Sequence, residues 1–203
     1  VLSNGRFAGF RSHPRLEGTH AFLSPSSPSW LRYTPEKLIE RIRTAQAAAL
    51  GTELHETASR NIKRGIKLLE CPECPIIVNY VNDAIDLGMT PEQMLFYTIN
   101  CYGTADTVSY EEYVDHEQYD GFLRAHDLKT GTSKVSMDQL YVYAAVFCLE
   151  YGIKPFRLAG ELRIYQGDTV LVEAIQRDYL SQVYSTIRHF DEILYDHRMG
   201  GSI

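Results

Sequence analysis

The stretch Gly121-Phe122-Leu123-Arg124-Ala125-His126-Asp127-Leu128-Lys129-Thr130-Gly131 decides how the rest of the chain is read. It reads as a β-strand over 121–129, closed by Thr130-Gly131. Residues two apart on a strand share a face, so Asp127 and Lys129 point the same way and Leu128 points into a core on the other side. A carboxylate beside an ammonium at a strand end suits phosphodiester hydrolysis. The carboxylate holds a hard cation, while the lysine positions the attacking water or offsets charge on the phosphate. Taken alone, however, Asp-x-Lys is an ordinary surface ion pair, so its surroundings must decide.

Upstream, the aromatic and β-branched run from Met94 to Cys101 predicts a strand. A turn at Tyr102-Gly103-Thr104 then leads into a second strand, Ala105-Asp106-Thr107-Val108-Ser109-Tyr110. Asp106 follows Gly103, a small residue that would let a second carboxylate approach the same point; a turn-capping aspartate is the plainer alternative. A shorter helix is expected over 78–87, ending at Gly88.

A long helix should follow Thr34, with Thr34 as N-cap, Pro35 at the first helical position and Lys37 where a capping box would put an acid. Leu38, Ile42, Ala45, Ala49, Thr52, Ser59, Ile62, Ile66 and Leu69 recur at helical spacing, and His55 fills the gap between Thr52 and Ser59. His55 therefore lies on the inward stripe, where a histidine is usually a hydrogen-bonded core residue. Residues 1–33, with Ser24-Pro25-Ser26-Ser27-Pro28-Ser29-Trp30, read as an irregular segment packed on the domain. Downstream, Ser136 can cap a helix from Met137 to Tyr151 stopped by Gly152. A hairpin joins 156–166 to 169–174 around Gly167-Asp168, and a last helix covers 175–195. The order predicts one α/β domain over 1–203, a mixed central sheet flanked by helices with a helical front end.

The 203 residues allow one domain with a substantial core, and 44% hydrophobic with 23% charged residues argues against extended disorder. No apolar run approaches a membrane span, and the first residues lack the apolar core of a secretory signal, so the expected location is the cytoplasm. A net charge of −6 predicts no general affinity for nucleic acid; DNA would need a local basic patch or a metal among carboxylates. Cys71-Pro72-Glu73-Cys74 has the spacing of a metal knuckle, but a second close pair is missing, and a turn carrying two thiols is the simpler reading. A structural zinc on Cys71 and Cys74 with His116 or Cys101 remains an alternative.

Two carboxylates, Asp106 and Asp127, with the imidazole of His55 would make a mixed oxygen/nitrogen site that accepts magnesium and favours manganese more than an all-oxygen site does. Gln139 and Tyr143, four apart on the helix after the third strand, share a face that can offer hydrogen bonds to a phosphate backbone. In order along the chain stand Gly51-Thr52-Glu53-Leu54-His55, Gly103-Thr104-Ala105-Asp106, Asp127-Leu128-Lys129 and Gln139-Leu140-Tyr141-Val142-Tyr143. This series resembles the RecB-type nuclease branch of the PD-(D/E)xK superfamily, whose signatures are GxxxH, GxxD, (D/E)xK and QxxxY. Leu23-Ser24-Pro25-Ser26-Ser27 is similar to the serine-rich entry of phage and CRISPR-associated members, and the resemblance spans about residues 22–195.

The resemblance implies a restriction-endonuclease-like core and a Mg²⁺- or Mn²⁺-dependent deoxyribonuclease, expected to be an exonuclease in recombination, repair or defence in a bacterial or phage-infected cell. It implies His55, Asp106, Asp127 and the Leu128 carbonyl as metal ligands, Lys129 as the catalytic lysine, and Gln139 and Tyr143 as supports of the site and contacts to the substrate strand. Members with an iron–sulfur cluster carry a cysteine before the histidine motif and three near the C-terminus; here none precedes His55 and none follows Cys148, so no cluster is expected. The implied partners are DNA, and further copies of the chain or a recombination protein, although no sequence feature specifies those two. The rival reading is an inactive DNA-binding or interaction protein of the same fold. Glu161-Leu162-Arg163 repeats the acid-x-base pattern, but arginine lacks a transferable proton and a compact charge, which marks it as a structural strand.

Overall fold

A computed structural model of the chain describes residues 2–3, 6–7, 9–16, 21, 23–26, 28–37, 53–72, 75–113, 117–129 and 134–199. Its centre is a five-stranded mixed sheet: β1 (Thr90–Thr98), β2 (Cys101–Glu112), β3 (Gly121–Lys129), β4 (Leu158–Gln166) and β5 (Thr169–Ala174), in that spatial order. All neighbours are antiparallel except β3 and β4. That parallel pair needs a crossover, supplied by helix α3 (Asp138–Tyr151). Helices α1 (Glu53–Arg64) and α2 (Pro75–Asp86) precede the sheet and α4 (Arg177–Met199) follows it. The expected mixed α/β architecture is therefore present.

Each face of the sheet has its own core. On one side Leu123, Ala125, Leu162 and Ile164 pack against α3 and against Leu180, Ile187 and Leu194 of α4. Buried Leu23 and Trp30 bring the N-terminal segment into the same core. α3 is buried along nearly its whole length, which explains its lack of a polar stripe. On the other side Ala58 and Ile62 of α1, and Tyr80, Val81 and Ala84 of α2, cover Leu128 and Tyr165.

Local sequence signals account for most boundaries. The Lys37 amide donates to Thr34 Oγ1 (3.3 Å), and residues 35–37 are helical, as the cap predicts; the stripe from Leu38 to Thr52 lies outside the described residues. α3 starts one residue later than expected, with Met137 rather than Ser136 at the N-cap; Ser136 Oγ, just outside it, accepts from the Asp138 amide (3.1 Å). The 166–169 hairpin turns on Gly167. Three further expectations need correction. α1 stops at Arg64, because Gly65 (φ 64°) closes a Schellman motif: its amide reaches the Ile62 carbonyl, and the Ile66 amide the Asn61 carbonyl. Ile66 and Leu69 are consequently exposed rather than on the inward stripe. α2 also begins at Pro75, earlier than expected.

The third correction concerns the first hairpin. β1 begins at Thr90, and the chain turns at Ile99-Asn100, not at Tyr102-Gly103-Thr104. Pro91 is tolerated because β1 is an edge strand. The turn is pinned to α4 through Asp191, which accepts from Thr98 Oγ1 (2.5 Å) and Asn100 Nδ2 (2.9 Å). Gly103 lies inside β2, where a Cβ would come within 2.6 Å of Pro25 Cδ. The glycine admits the N-terminal segment, not a carboxylate.

Candidate metal and phosphodiester site

The site forms where β3 runs out and α3 begins. The regular pleat of β3 points Asp127 and Lys129 towards α3 and sends the Leu128 side chain into the opposite core. Lys129 Nζ donates to Asp127 Oδ1 (3.0 Å) and to Gln139 Oε1 (2.7 Å), and Gln139 Nε2 donates to Asp127 Oδ1 (2.9 Å). This closed triangle fixes both the lysine and the carboxylate. Asp127 is only 2% exposed. Its Oδ2 lies 3.0 Å from Lys129 Nζ, off the axis of a hydrogen bond, and has no other partner among the described residues.

β2 delivers Asp106 through an irregularity. Ala105 and Val108, three apart, both enter the α3-side core, so the face alternation changes phase across Asp106-Thr107. Asp106 Oδ2 thereby accepts from the Leu128 amide (2.9 Å) and lies 3.4 Å from His55 Nδ1. In an extended strand the carbonyl of a residue points to the same edge as its amide, which leaves the Leu128 oxygen on the Asp106 side. α1 supplies His55, half-buried, one turn before the buried Ala58 and Ser59.

Glu92 is a residue that sequence reasoning missed. His55, Glu92 and Asp106 each bring one donor atom to within 4.8 Å of the others. Glu92 has φ 51°, a left-handed backbone that costs a non-glycine residue on the order of 1 kcal/mol. Glu-Gln after a proline gives no hint of it. Asp127, in contrast, stands outside this group of three, with one oxygen shared between Lys129 and Gln139.

The electrostatics are those of a site short of positive charge. Burial pushes the Asp127 carboxyl up to about 6; the Asp106 charge adds to the rise, and Lys129 and His55 oppose it. Burial and Asp106 also raise Glu92. Asp106, as the acceptor facing the His55 imidazole, raises His55 against the effect of burial. Carboxylates and an imidazole in this arrangement match the mixed donor set of a magnesium or manganese site, and the buried, open Asp127 Oδ2 is the kind of lone pair a cation would satisfy.

Tyr143 sits where it can support the site but not touch substrate. It is 1% exposed, and its hydroxyl donates to the Thr104 carbonyl and lies 3.4 Å from Ser26 Oγ. It braces β2 and the N-terminal segment against α3, and burial keeps it from touching a substrate strand directly. Gln139, 8% exposed, borders a cleft of about 250 Å³ lined also by Pro28, Lys129, Lys134, Ser136 and Gln166. The zinc alternative loses one candidate. Cys101 is fully buried with Sγ 3.7 Å from the Leu23 carbonyl, and burial raises its thiol, disfavouring the thiolate that zinc requires. Cys74 and His116 lie outside the described residues. No described helix is long and apolar enough to cross a membrane.

No family model matches the chain, and no curated protein matches it. Among solved structures, the crystal structure of SSO0001 is 11% identical, covering 75% of this chain and 84% of its own with a TM-score of 0.26.

Proposed function

We propose that this chain is a divalent-metal-dependent DNA nuclease, an exonuclease acting on DNA ends. The observation that carries the reading is the convergence of His55 and Asp106 with the Asp127–Lys129–Gln139 triangle at one strand end. His55, Asp106, Asp127 and the Leu128 carbonyl are the residues that would hold magnesium or manganese. Bound there, the ion would supply a Lewis acid for a phosphoryl oxygen and a water of lowered pKa.

The remaining work falls to the chain's own groups. Asp127 and Gln139 hold Lys129 Nζ at a fixed point, where it can orient the attacking water or hold charge against the phosphate. Lys129 and Lys134 line the adjoining cleft, and Arg32, 70% exposed, is tied to Asp138 at the start of α3 (3.1 Å). These are the local cations that a chain of net charge −6 needs in order to meet a phosphate backbone. In this reading the protein works in the cytoplasm of a bacterial or phage-infected cell, in recombination, repair or defence, either as a homo-oligomer or beside a recombination protein.

Incubation with linear and covalently closed circular DNA, in Mg²⁺, Mn²⁺ or EDTA, tests the reading. Metal-dependent loss of the linear form alone is expected. Cleavage of closed circles would move the reading to an endonuclease. Metal-dependent activity that survives unchanged in Asp127→Ala and Lys129→Ala would remove the site, and inactivity on every DNA would leave the inactive DNA-binding alternative.

A further inference from the structure

We infer that the exposed face of α1 formed by Arg60, Lys63 and Arg64 is a docking surface for the phosphate backbone of duplex DNA, holding the duplex that flanks the cut. The inference rests on the nuclease reading above and names the form of DNA that the site takes.

The charge on this face runs counter to the chain as a whole. Asp and Glu outnumber Lys and Arg by 26 to 20, yet the eight residues Arg60-Asn61-Ile62-Lys63-Arg64-Gly65-Ile66-Lys67 carry four cations and no acid. Ala58, Ser59 and Ile62 face the core, and Arg60, Lys63 and Arg64, three and four apart, share the exposed side. Lys67, past the helix end, is paired with Asp86 (2.5 Å). The other three form no ion pair among the described residues, not even Arg60 with the exposed Glu56 one turn before it. Arg32, Lys129, Arg157 and Arg163, in contrast, each have a carboxylate within 3.1 Å. Cations in the last turn of a helix complement its dipole, which accounts for Lys63 and Arg64. It does not account for Arg60, which lies before that turn, and like charges four apart on a helix repel.

The same helix ties this face to the site. His55 stands near its start, and Arg64 lies about 13 Å further along the axis at the helical rise. On a duplex that distance spans about four base pairs of one strand. Lys63 is near enough to Glu92, beside His55 and Asp106, to oppose the rise in its pKa. The cleft cations Lys129 and Lys134 lie on the α3 side of the sheet, and α1 covers the other side. Cations on two sides of the site can meet the two phosphate lines of a duplex, whereas a lone strand offers only one. α1 also carries no aromatic residue on which unpaired bases could stack, the feature that marks a single-strand surface. Basic side chains on a rigid helix instead suit a backbone of fixed phosphate spacing.

Fluorescence anisotropy of the full chain with a blunt duplex oligonucleotide, and with one of its strands alone, tests the assignment in EDTA across a salt series. Arg60→Gln, Lys63→Gln and Arg64→Gln combined should weaken duplex binding at least tenfold. They should also lower the slope of log affinity against log salt by about 2–3, since each phosphate contact contributes about 0.9. Binding of the single strand should fall less than threefold. Glutamine keeps the helix propensity of these exposed positions, so this variant should melt with the parent. Arg60→Lys with Arg64→Lys, which retains the charge, should bind within twofold of the parent. Lys154→Gln, Arg177→Gln and Arg188→Gln combined remove three exposed cations elsewhere and measure the effect of net charge alone. Duplex binding within twofold of the parent in the α1 variant, an equal loss in the second set, an equal loss on the single strand, or no duplex binding by the parent at low salt would overturn the inference. Duplex held through α1 by a protein that cuts no DNA sinks the nuclease reading alone. Metal-dependent cutting by a protein whose α1 variant binds duplex like the parent sinks this inference alone.

Discussion

Two neighbouring strands carry the same short pattern, acid, leucine, base, and the fold makes opposite use of them. On β3, Asp127 and Lys129 face α3, and Leu128 enters the smaller core. On β4, Leu162 enters the larger core, so Glu161 and Arg163 face α2. Arg163 is paired with both acids there: Nε donates to Glu161 (2.6 Å) and Nη1 to Asp83 (3.0 Å), while Tyr165 donates its hydroxyl to the same Asp83 (2.6 Å). Every charge in that set has a partner, and the set ties α2 to the sheet. Around Asp127 the balance is reversed, with a buried acid next to a second acid and one lysine between two acceptors. A tripeptide pattern therefore does not define a site. Which face it occupies, and whether its charges are satisfied, does.

The largest expected effect separates the two pairs by activity. Asp127→Asn and Lys129→Ala should each lower DNA hydrolysis by about 10³-fold, the scale of losing a positioned charge in a transition state. Glu161→Gln and Arg163→Lys should leave the rate within about threefold. A comparable loss from the β4 pair, measured at saturating Mn²⁺, would break the contrast and place the chemistry on the α2 side.

How much of this was legible in the sequence follows from where the information sits. The pleat of β3, the Thr34 cap and the Gly167 hairpin are local, and local chemistry specified them. The pairing of Asp106 with Asp127 was visible only as motif order, because it depends on which strands become neighbours. Glu92 was not legible at all: its position comes from a positive φ and a missing rung that composition does not encode. Of the two roles expected of Tyr143, support of the site and contact with the substrate strand, burial leaves the first, for a related reason. A helical face shared with Gln139 predicts direction but not depth, and only packing shows that it is buried under β2.

A second comparison uses pH. His126, fully buried on β3 and directly opposite Arg163, is driven down to about 3 by burial, with help from Arg163 and Arg124. An unfolded histidine titrates near 6.5, so the unfolded chain gains a proton that the folded chain refuses. Stability from this group is complete above pH 6.5 and declines as pH falls towards 3. His126→Leu should flatten the fall in melting temperature between pH 6.5 and 4, by the equivalent of roughly 2–3 kcal/mol at the acid end. Asp127 has the opposite sign. Raised to about 6 from 3.8, it favours folding when protonated, so its charge weakens the fold increasingly as pH rises through 6. In EDTA, Asp127→Asn should melt a few degrees higher than the parent at pH 7.5, on the order of 1–2 kcal/mol, and show no advantage below pH 4. A lower melting temperature at pH 7.5 would mean that Lys129 and Gln139 stabilise the aspartate more than burial penalises it.

The smallest expected effect tests the β4 pair on its own terms. Arg163 meets Glu161 and Asp83 through two different nitrogens of one planar fork, a geometry that an ammonium cannot reproduce. Arg163→Lys keeps the charge but can satisfy only one of the two acids well, leaving the other, or the Tyr165 hydroxyl, to compete for water at the edge of α2. Arg163 and Asp83 are both partly exposed, so solvent screens much of the loss, and about 0.5–1 kcal/mol is expected. Asp83→Asn should cost a similar amount, and the double variant should cost less than the sum of the two, because both remove the same contact. Strict additivity in that cycle, read from urea midpoints at pH 7.5, would show that Arg163 does not couple α2 to the sheet. The closed charge set on β4 would then be no better satisfied than the open one on β3, and the contrast between the two strands would rest on activity alone.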